Sequence, residues 1–209
     1  MIRVEFLVVG PVSTNCYILI NDQRKEAVIV DPGDQADRIK ERILKEGVKP
    51  AAILLTHGHF DHMMAAEKLR REYQVAVYAC AKERPLLNDA SWNLAKGFIG
   101  SDHTMDADIY CREGDEFYLA GCHIRVLETP GHTLGCCCYY IASENLVFTG
   151  DTLFCRSIGR TDFPGGSYDE IVKSIREKLF VLPEETVCYC GHGEGTKIGV
   201  EKECNPYVR

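Results

Sequence analysis

The chain has no apolar run long enough to cross a bilayer. Its first residues, Met1-Ile2-Arg3-Val4-Glu5-Phe6, lack the charged-then-apolar plan of a signal peptide. These absences lead us to expect a cytoplasmic protein without a membrane partner. Positive charge is also short: 24 lysines and arginines stand against 31 acidic residues, a net charge of −7. That balance argues against a nucleic-acid partner, whose backbone is normally tracked by a basic face. No linker, low-complexity stretch or charge block divides the 209 residues, so one domain over 1–209 is expected.

Cysteine is plentiful, but the spacings that would give it chemistry are missing. Eleven cysteines, an odd number without a secretory signal, suggest reduced thiols and no disulfide framework. Neither Cys136-Cys137-Cys138 nor Cys188-Tyr189-Cys190 has the two-residue gap of a zinc knuckle or a dithiol redox site. Most are expected to be small buried hydrophobes. Gly191-x-Gly193-x-Gly195 lacks the lysine of a phosphate loop.

What is present begins with a β-α-β-α-β run. Strands are expected at 2–9, 16–20, 27–30, 51–55 and 75–80. A helix capped by Asp34 has an apolar stripe of Ile39, Ile43 and Leu44 and ends at Gly47, and a second helix covers 63–73. Residues 81–108 read as a helix plus a loop overhanging a site. Strands at hairpin spacing follow at 116–119, 123–127, 136–141 and 146–148. A capping box at Ser167-Tyr168-Asp169-Glu170 opens a helix carrying Ile171, Ile175 and Leu179, and 186–190 is a last strand.

The densest signal is Thr56-His57-Gly58-His59-Phe60-Asp61-His62. It follows an apolar strand and precedes a helical pattern. Histidines two apart on an extended segment lie on one side of the backbone. Imidazole and carboxylate together suit zinc or iron. His132, Asp151 and His192 each follow a glycine at the end of an apolar strand, where a tight turn aims the next side chain outward. They complement the loop as metal ligands. Asp31, before Pro32-Gly33, is expected to brace the histidine loop by hydrogen bonding without binding metal. His103 and His123 lie off the pattern.

The order His-x-His-x-Asp-His, then Gly-His, Gly-Asp and Gly-His, resembles the metallo-β-lactamase superfamily of hydrolases. The stretches Gly150-Asp151-Thr152-Leu153-Phe154, Ser157 to Ser167, and Gly191-His192-Gly193 onward are most similar to the short bacterial glyoxalase II (hydroxyacylglutathione hydrolase) group. The resemblance implies an α/β fold, a four-layer αββα sandwich with its metal site at the edge between two sheets. It implies two divalent ions, zinc first, with iron or manganese as alternatives. His57, His59 and His132 would hold one ion and Asp61, His62 and His192 the other, with Asp151 bridging. A metal-bound hydroxide, oriented by Asp61, would attack a thioester carbonyl. The substrate would be a small molecule, S-D-lactoylglutathione or a related acyl thioester, and the protein a monomer or small homo-oligomer.

Chemistry favours the same class independently. No dedicated general acid stands out, which suits a thiolate leaving group (thiol pKa about 8.5). Arg160 is the candidate for a substrate carboxylate; its alternative role is to pair with Asp162. Phe154, Phe163 and the 81–108 segment are candidate pocket walls. Longer glyoxalase II enzymes place a helical region after the last ligand to grip glutathione; the short stretch from His192 to Arg209 is not expected to supply that grip. A persulfide dioxygenase on this fold is the alternative, with one iron on His57, His132 and Asp151.

Overall fold

The hairpin of β1 (Ile2–Val9) and β2 (Thr14–Asn21) shows how the layers arise. Successive strand side chains point to opposite faces. Ile18 and Ile20 on β2 therefore enter one apolar cluster and Tyr17 and Leu19 another. A sheet apolar on both faces must be covered on both. The computed structural model describes residues 1–208. In it β1, β2, β3 (Glu26–Val30), β4 (Lys49–Leu54), β5 (Ala76–Cys80) and β6 (Ile109–Cys111) form one sheet in that order, antiparallel as far as β3 and parallel beyond.

Helices α1 (Ala36–Glu46), α2 (Phe60–Met63) and α3 (Ala66–Tyr73) follow β3 and β4. Ile39, Ile43 and Leu69 cover the outer face of this sheet through Ile18, Ile29 and Ile53. The short helices α4 (Arg84–Leu87) and α5 (Ala95–Ile99) lie between β5 and β6. The second sheet contains β7 (Glu116–Leu119), β8 (Cys122–Glu128), β9 (Cys137–Ile141) and β10 (Leu146–Gly150). A small hairpin, β11 (Leu153–Phe154) and β12 (Ser157–Ile158), precedes its last strands, β13 (Val187–Cys190) and β14 (Thr196–Lys197). The order is β14-β13-β10-β9-β8-β7, with β10 and β13 parallel.

The cysteine run at 136–138 follows the strand alternation. Cys137 and Tyr139 face the first sheet, whereas Cys138 faces α6 (Tyr168–Ser174), its π-helical continuation Ile175–Leu179, and α7 (Ile198–Cys204). Ile171, Ile175 and Leu179 are fully buried there, and Ser167 Oγ caps α6 by accepting from Glu170 N. Helix, sheet, sheet and helix are thus stacked as the αββα sandwich. No described helix is long and apolar enough to cross a membrane.

Three local expectations fail. Asp34 does not cap α1: Gln35 occupies the N-cap in a left-handed conformation (φ 54°) without a side-chain cap bond. Leu44 is 82% exposed, because one residue beyond Ile43 it turns about 100° off the buried stripe. The helix expected over 63–73 is broken, because Ala65 N donates to Pro32 O before α3 begins.

Candidate metal centre

β4, β10 and β13 all end at one rim of the sandwich. Leu55 and Thr56 lead from β4 into His57 and His59, and α2 carries Asp61 and His62 in a single turn. His132 lies between β8 and β9, Asp151 directly after β10, and His192 just after β13. The rim is stitched across the two sheets. Asn15 Nδ2 on β2 donates to the carbonyls of Cys190 and Gly193, and the Tyr17 hydroxyl donates to Cys190 O. A glycine at 191 is obligatory, because a Cβ there would lie 2.0 Å from Asp151 Oδ1.

The seven side chains converge. His59 Nδ1 lies 3.1 Å from His57 Nε2 and 3.0 Å from His132 Nε2. His62 Nε2 lies 3.4 Å from both His192 Nε2 and Asp61 Oδ2. Asp151 faces both groups: Oδ1 is 3.4 Å from His62 Nε2, and Oδ2 is 3.6 Å from His132 Nε2 and 3.5 Å from His192 Nε2. Three sets can each offer three ligand atoms within 4.8 Å of one another: His57, His59 and His132; His57, His62 and Asp151; Asp61, His62 and His192.

The far nitrogen of four of these rings is anchored, as in metal sites generally. His132 Nδ1 donates to Arg160 O at 2.7 Å and His192 Nδ1 to Ser13 O at 3.3 Å. His62 Nδ1 donates to Asp31 Oδ2 at 3.0 Å. Thr56 Oγ1 gives its proton to Asp31 Oδ2 and so accepts from His57 Nδ1. Asp31 therefore does the bracing expected of it. These bonds leave the Nε2 atoms of neutral His57 and His132 rings as lone pairs aimed at His59 Nδ1. His59 Nδ1 can donate to one of them at most. Asp151 Oδ1 is buried with no hydrogen-bond partner. Converging lone pairs and an orphaned carboxylate oxygen fit a divalent cation and little else.

The electrostatics agree. Burial, then the neighbouring imidazoles, pushes His57 well below the ordinary histidine range, and burial with His132 takes His59 down to about 3. Burial alone would also lower His62, but Asp61, Asp151 and Asp31 outweigh it and lift the ring to about 9. Burial opposes protonation of His192 too, and Asp151 and Asp61 overcome it, to about 11. Burial would raise Asp151 and Asp61; His62 and His192 hold both low, Asp151 at about 2. The carboxylates demand positive charge, which protons supply when metal does not.

The centre opens into a cavity of about 410 Å³ lined by His59, Asp61, His132, Asp151 and His192. Phe98, from the segment expected to overhang the site, Phe154 and Phe163 are among its walls. Arg160 is there too, with Nε and Nη2 bonded to the two oxygens of Asp162. His103 and His123 lie outside the cluster; His123 stacks on Tyr118. Glu83 was not anticipated from the sequence. It is 1% exposed and accepts from Gly58 N, Gly135 N and Thr133 Oγ1, tying the two histidine loops together.

Known proteins resemble this chain in sequence and fold. A Haemophilus influenzae protein named hydroxyacylglutathione hydrolase GloC is 35% identical over 208 residues, covering 99% of this chain and 98% of its own. The crystal structure of BLEG-1 B3 metallo-beta-lactamase superposes with a TM-score of 0.94 at 39% identity, covering 99% of each chain. That of TTHA1623 in a di-iron-bound form gives 0.85 at 33% identity, covering 97% of this chain and 99% of the other. The sequence model of the Metallo-beta-lactamase superfamily matches residues 9–192, which hold all seven converging side chains. The chain belongs to the metallo-beta-lactamase superfamily, with a cluster of histidines and aspartates able to hold metal at the rim of its fold.

Proposed function

We propose that the protein is a thioester hydrolase working with two divalent ions, zinc or iron being suited to the donor set. His57 Nε2, His59 Nδ1 and His132 Nε2 would hold one, and Asp61 Oδ2, His62 Nε2 and His192 Nε2 the other, with Asp151 facing both. The likeness to TTHA1623 in its di-iron-bound form supports the pair. Bound there, the ions would supply a nucleophile from water near neutral pH and hold negative charge on a carbonyl oxygen.

The chain's own groups do the rest. Asp61 Oδ2 is fixed by Thr14 Oγ1 at 2.7 Å and can accept a water hydrogen to orient it. The apolar walls keep bulk water off the reacting carbonyl. The acyl C–S bond breaks as a C–O bond forms from water. The sulfur departs as thiolate, and the two water protons end, by way of solvent, on the thiol and on the carboxylic acid.

The observation that carries this reading concerns the leaving group. Outside the histidine and aspartate cluster, the only polar side chains lining the cavity among the described residues are Ser157 and Arg160. Neither gives up a proton near neutral pH. A thiol of pKa about 8.5 can depart as its anion unaided, whereas an amine or alkoxide cannot. The likeness to GloC supports the same class.

Metal-loaded protein should bind two ions per chain and release thiol from S-D-lactoylglutathione or a simpler thioester. His62→Ala should lose one ion and at least about 100-fold in rate. One iron per chain with oxygen uptake on glutathione persulfide, little affected by His62→Ala, would establish the dioxygenase instead. Turnover of a β-lactam and of no thioester would also overturn the proposal.

A further inference from the structure

The cavity wall is apolar and comes from four separate segments. Val12 stands in the β1–β2 turn, Leu94 and Phe98 at α5, Phe154 and Ile158 on the β11–β12 hairpin, and Phe163 in the loop before α6. Phe98 is 55% exposed and Val12 40%, so large hydrophobes stand in water at the mouth. Phe98 is nevertheless held in place. Its ring packs 5.9 Å from Phe60 and 6.1 Å from Phe163, and Phe163 in turn lies 5.7 Å from His59. Fully buried Asn93 anchors the base of α5. Its carbonyl accepts from Phe60 N, its Nδ2 donates to His103 O, and its Oδ1 accepts from Ala95 N. The wall is therefore braced against α2, the helix that carries Asp61 and His62.

Charge points the same way. Among the described residues, Arg160 is the one cationic side chain lining the cavity besides the histidines. Its guanidinium grips both oxygens of Asp162, at 2.7 and 2.6 Å, and lies 3.8 Å from the Phe163 ring centroid. Asp162 already takes the Nε and Nη2 edge and balances the charge, so a substrate carboxylate would meet a weakened attraction and the Asp162 carboxylate beside it. An apolar surface around the reacting carbonyl and an arginine already neutralised suit a substrate without charge.

We infer that the site, on the hydrolase reading above, selects neutral thioesters with apolar acyl groups and discriminates against thioesters of an anionic thiol such as glutathione. Each methylene drawn out of water onto such a wall favours binding by up to about fourfold.

The test uses the metal-loaded full chain and matched pairs of substrates: acetyl, butanoyl and hexanoyl thioesters of N-acetylcysteamine and of glutathione. kcat/KM should rise about two- to fourfold per methylene, and at each length the neutral thiol should lead glutathione by about tenfold or more. Phe98→Ser should flatten the length dependence, chiefly through KM, and Phe98→Leu should retain most of it. Asp162→Asn, which frees Arg160, should raise turnover of the glutathione esters relative to the neutral ones. Glutathione esters matching or leading the neutral ones, or no gain with chain length, would overturn the inference and leave the hydrolase reading standing. Turnover of no thioester at all would remove both.

Discussion

Asp31 Oδ2 lies 3.0 Å from His62 Nδ1, and the same carboxylate receives the Thr56 hydroxyl at 2.7 Å and the Thr56 amide at 2.8 Å. The residue sits at φ 50°, a left-handed conformation that aspartate and asparagine tolerate better than most residues. By fixing the proton on His62 Nδ1, Asp31 turns the Nε2 lone pair into the cluster. Asp31→Asn preserves the backbone but replaces one acceptor oxygen with a donor. Metal affinity and hydrolysis should fall about 10- to 100-fold with the far-ultraviolet circular dichroism unchanged. Metal titration checks this, and wild-type affinity in the variant would show that the contact is incidental.

Glu83 acts on the other side of the centre. Its oxygens accept from Gly58 N at 2.6 Å, Gly135 N at 2.7 Å and Thr133 Oγ1 at 2.8 Å. Burial raises its pKa although these bonds favour the carboxylate. Glu83→Ala strands two buried backbone donors, Gly58 N and Gly135 N, each costing about 1–3 kcal/mol, while Thr133 Oγ1 keeps Cys136 Sγ as an acceptor. Urea unfolding should show a loss of about 2 kcal/mol or more. The His57, His59 and His132 group should also hold its ion more weakly. Glu83→Gln, which keeps one carbonyl acceptor, should fall between. A Glu83→Ala variant as stable as wild type would count against the brace.

The seven converging side chains were legible because they follow apolar strands closely, in the 57–62 loop and its first helical turn or after a glycine, a pattern carried by a few neighbouring positions. Their supports were not. Asn15 and Tyr17 reach partners 173 to 178 residues away, so nothing local distinguishes them from other strand residues. Glu83 is one acidic residue in a polar segment until the fold places Gly58 and Gly135 against it. The break after Met63 depends on Pro32 O, which no helical periodicity records. Strand β6 has three residues and is defined by its pairing with β5, not by composition. The αββα layering was implied by the family resemblance, and the alternation on β2 and β9 supplies its physical reason, since both faces need apolar cover.

The thiols offer a check on packing that is independent of metal. Cys155 and Cys204 are exposed and the other nine cysteines are buried. Burial pushes the Cys138 and Cys190 thiols up to about 12, so they stay protonated at pH 8 and react slowly. An aromatic disulfide reagent at that pH should modify two thiols per native chain and eleven once urea is added. Fast native reaction of more than two would mean that a sheet face is open.

Stripping the metal should create a dependence on pH that loading removes. In the metal-free chain the carboxylates around His62 and His192 lift the two rings to about 9 and about 11, from an ordinary value of 6.5. A folded-state pKa above the unfolded one stabilises the fold fully below the unfolded value, and that stabilisation is lost as pH rises through the folded one. Asp151 works at the other end. Held at about 2 against an ordinary 3.8, it stabilises above 3.8, and the effect disappears as pH falls toward 2. His57 and His59, held below the ordinary value, cost stability as pH falls below 6.5, so the metal-free protein should melt at its highest temperature near pH 6.5, fall on acidification and lose Tm steadily toward pH 9 and beyond. Loaded protein should show little change over that alkaline range, since ions replace the protons on both rings. Loading at pH 7.5 should accordingly release about two protons per chain, measurable by calorimetry in buffers of different ionisation enthalpy. A stripped protein that gained stability between pH 7 and 9 would contradict this account of how the cluster balances its charge.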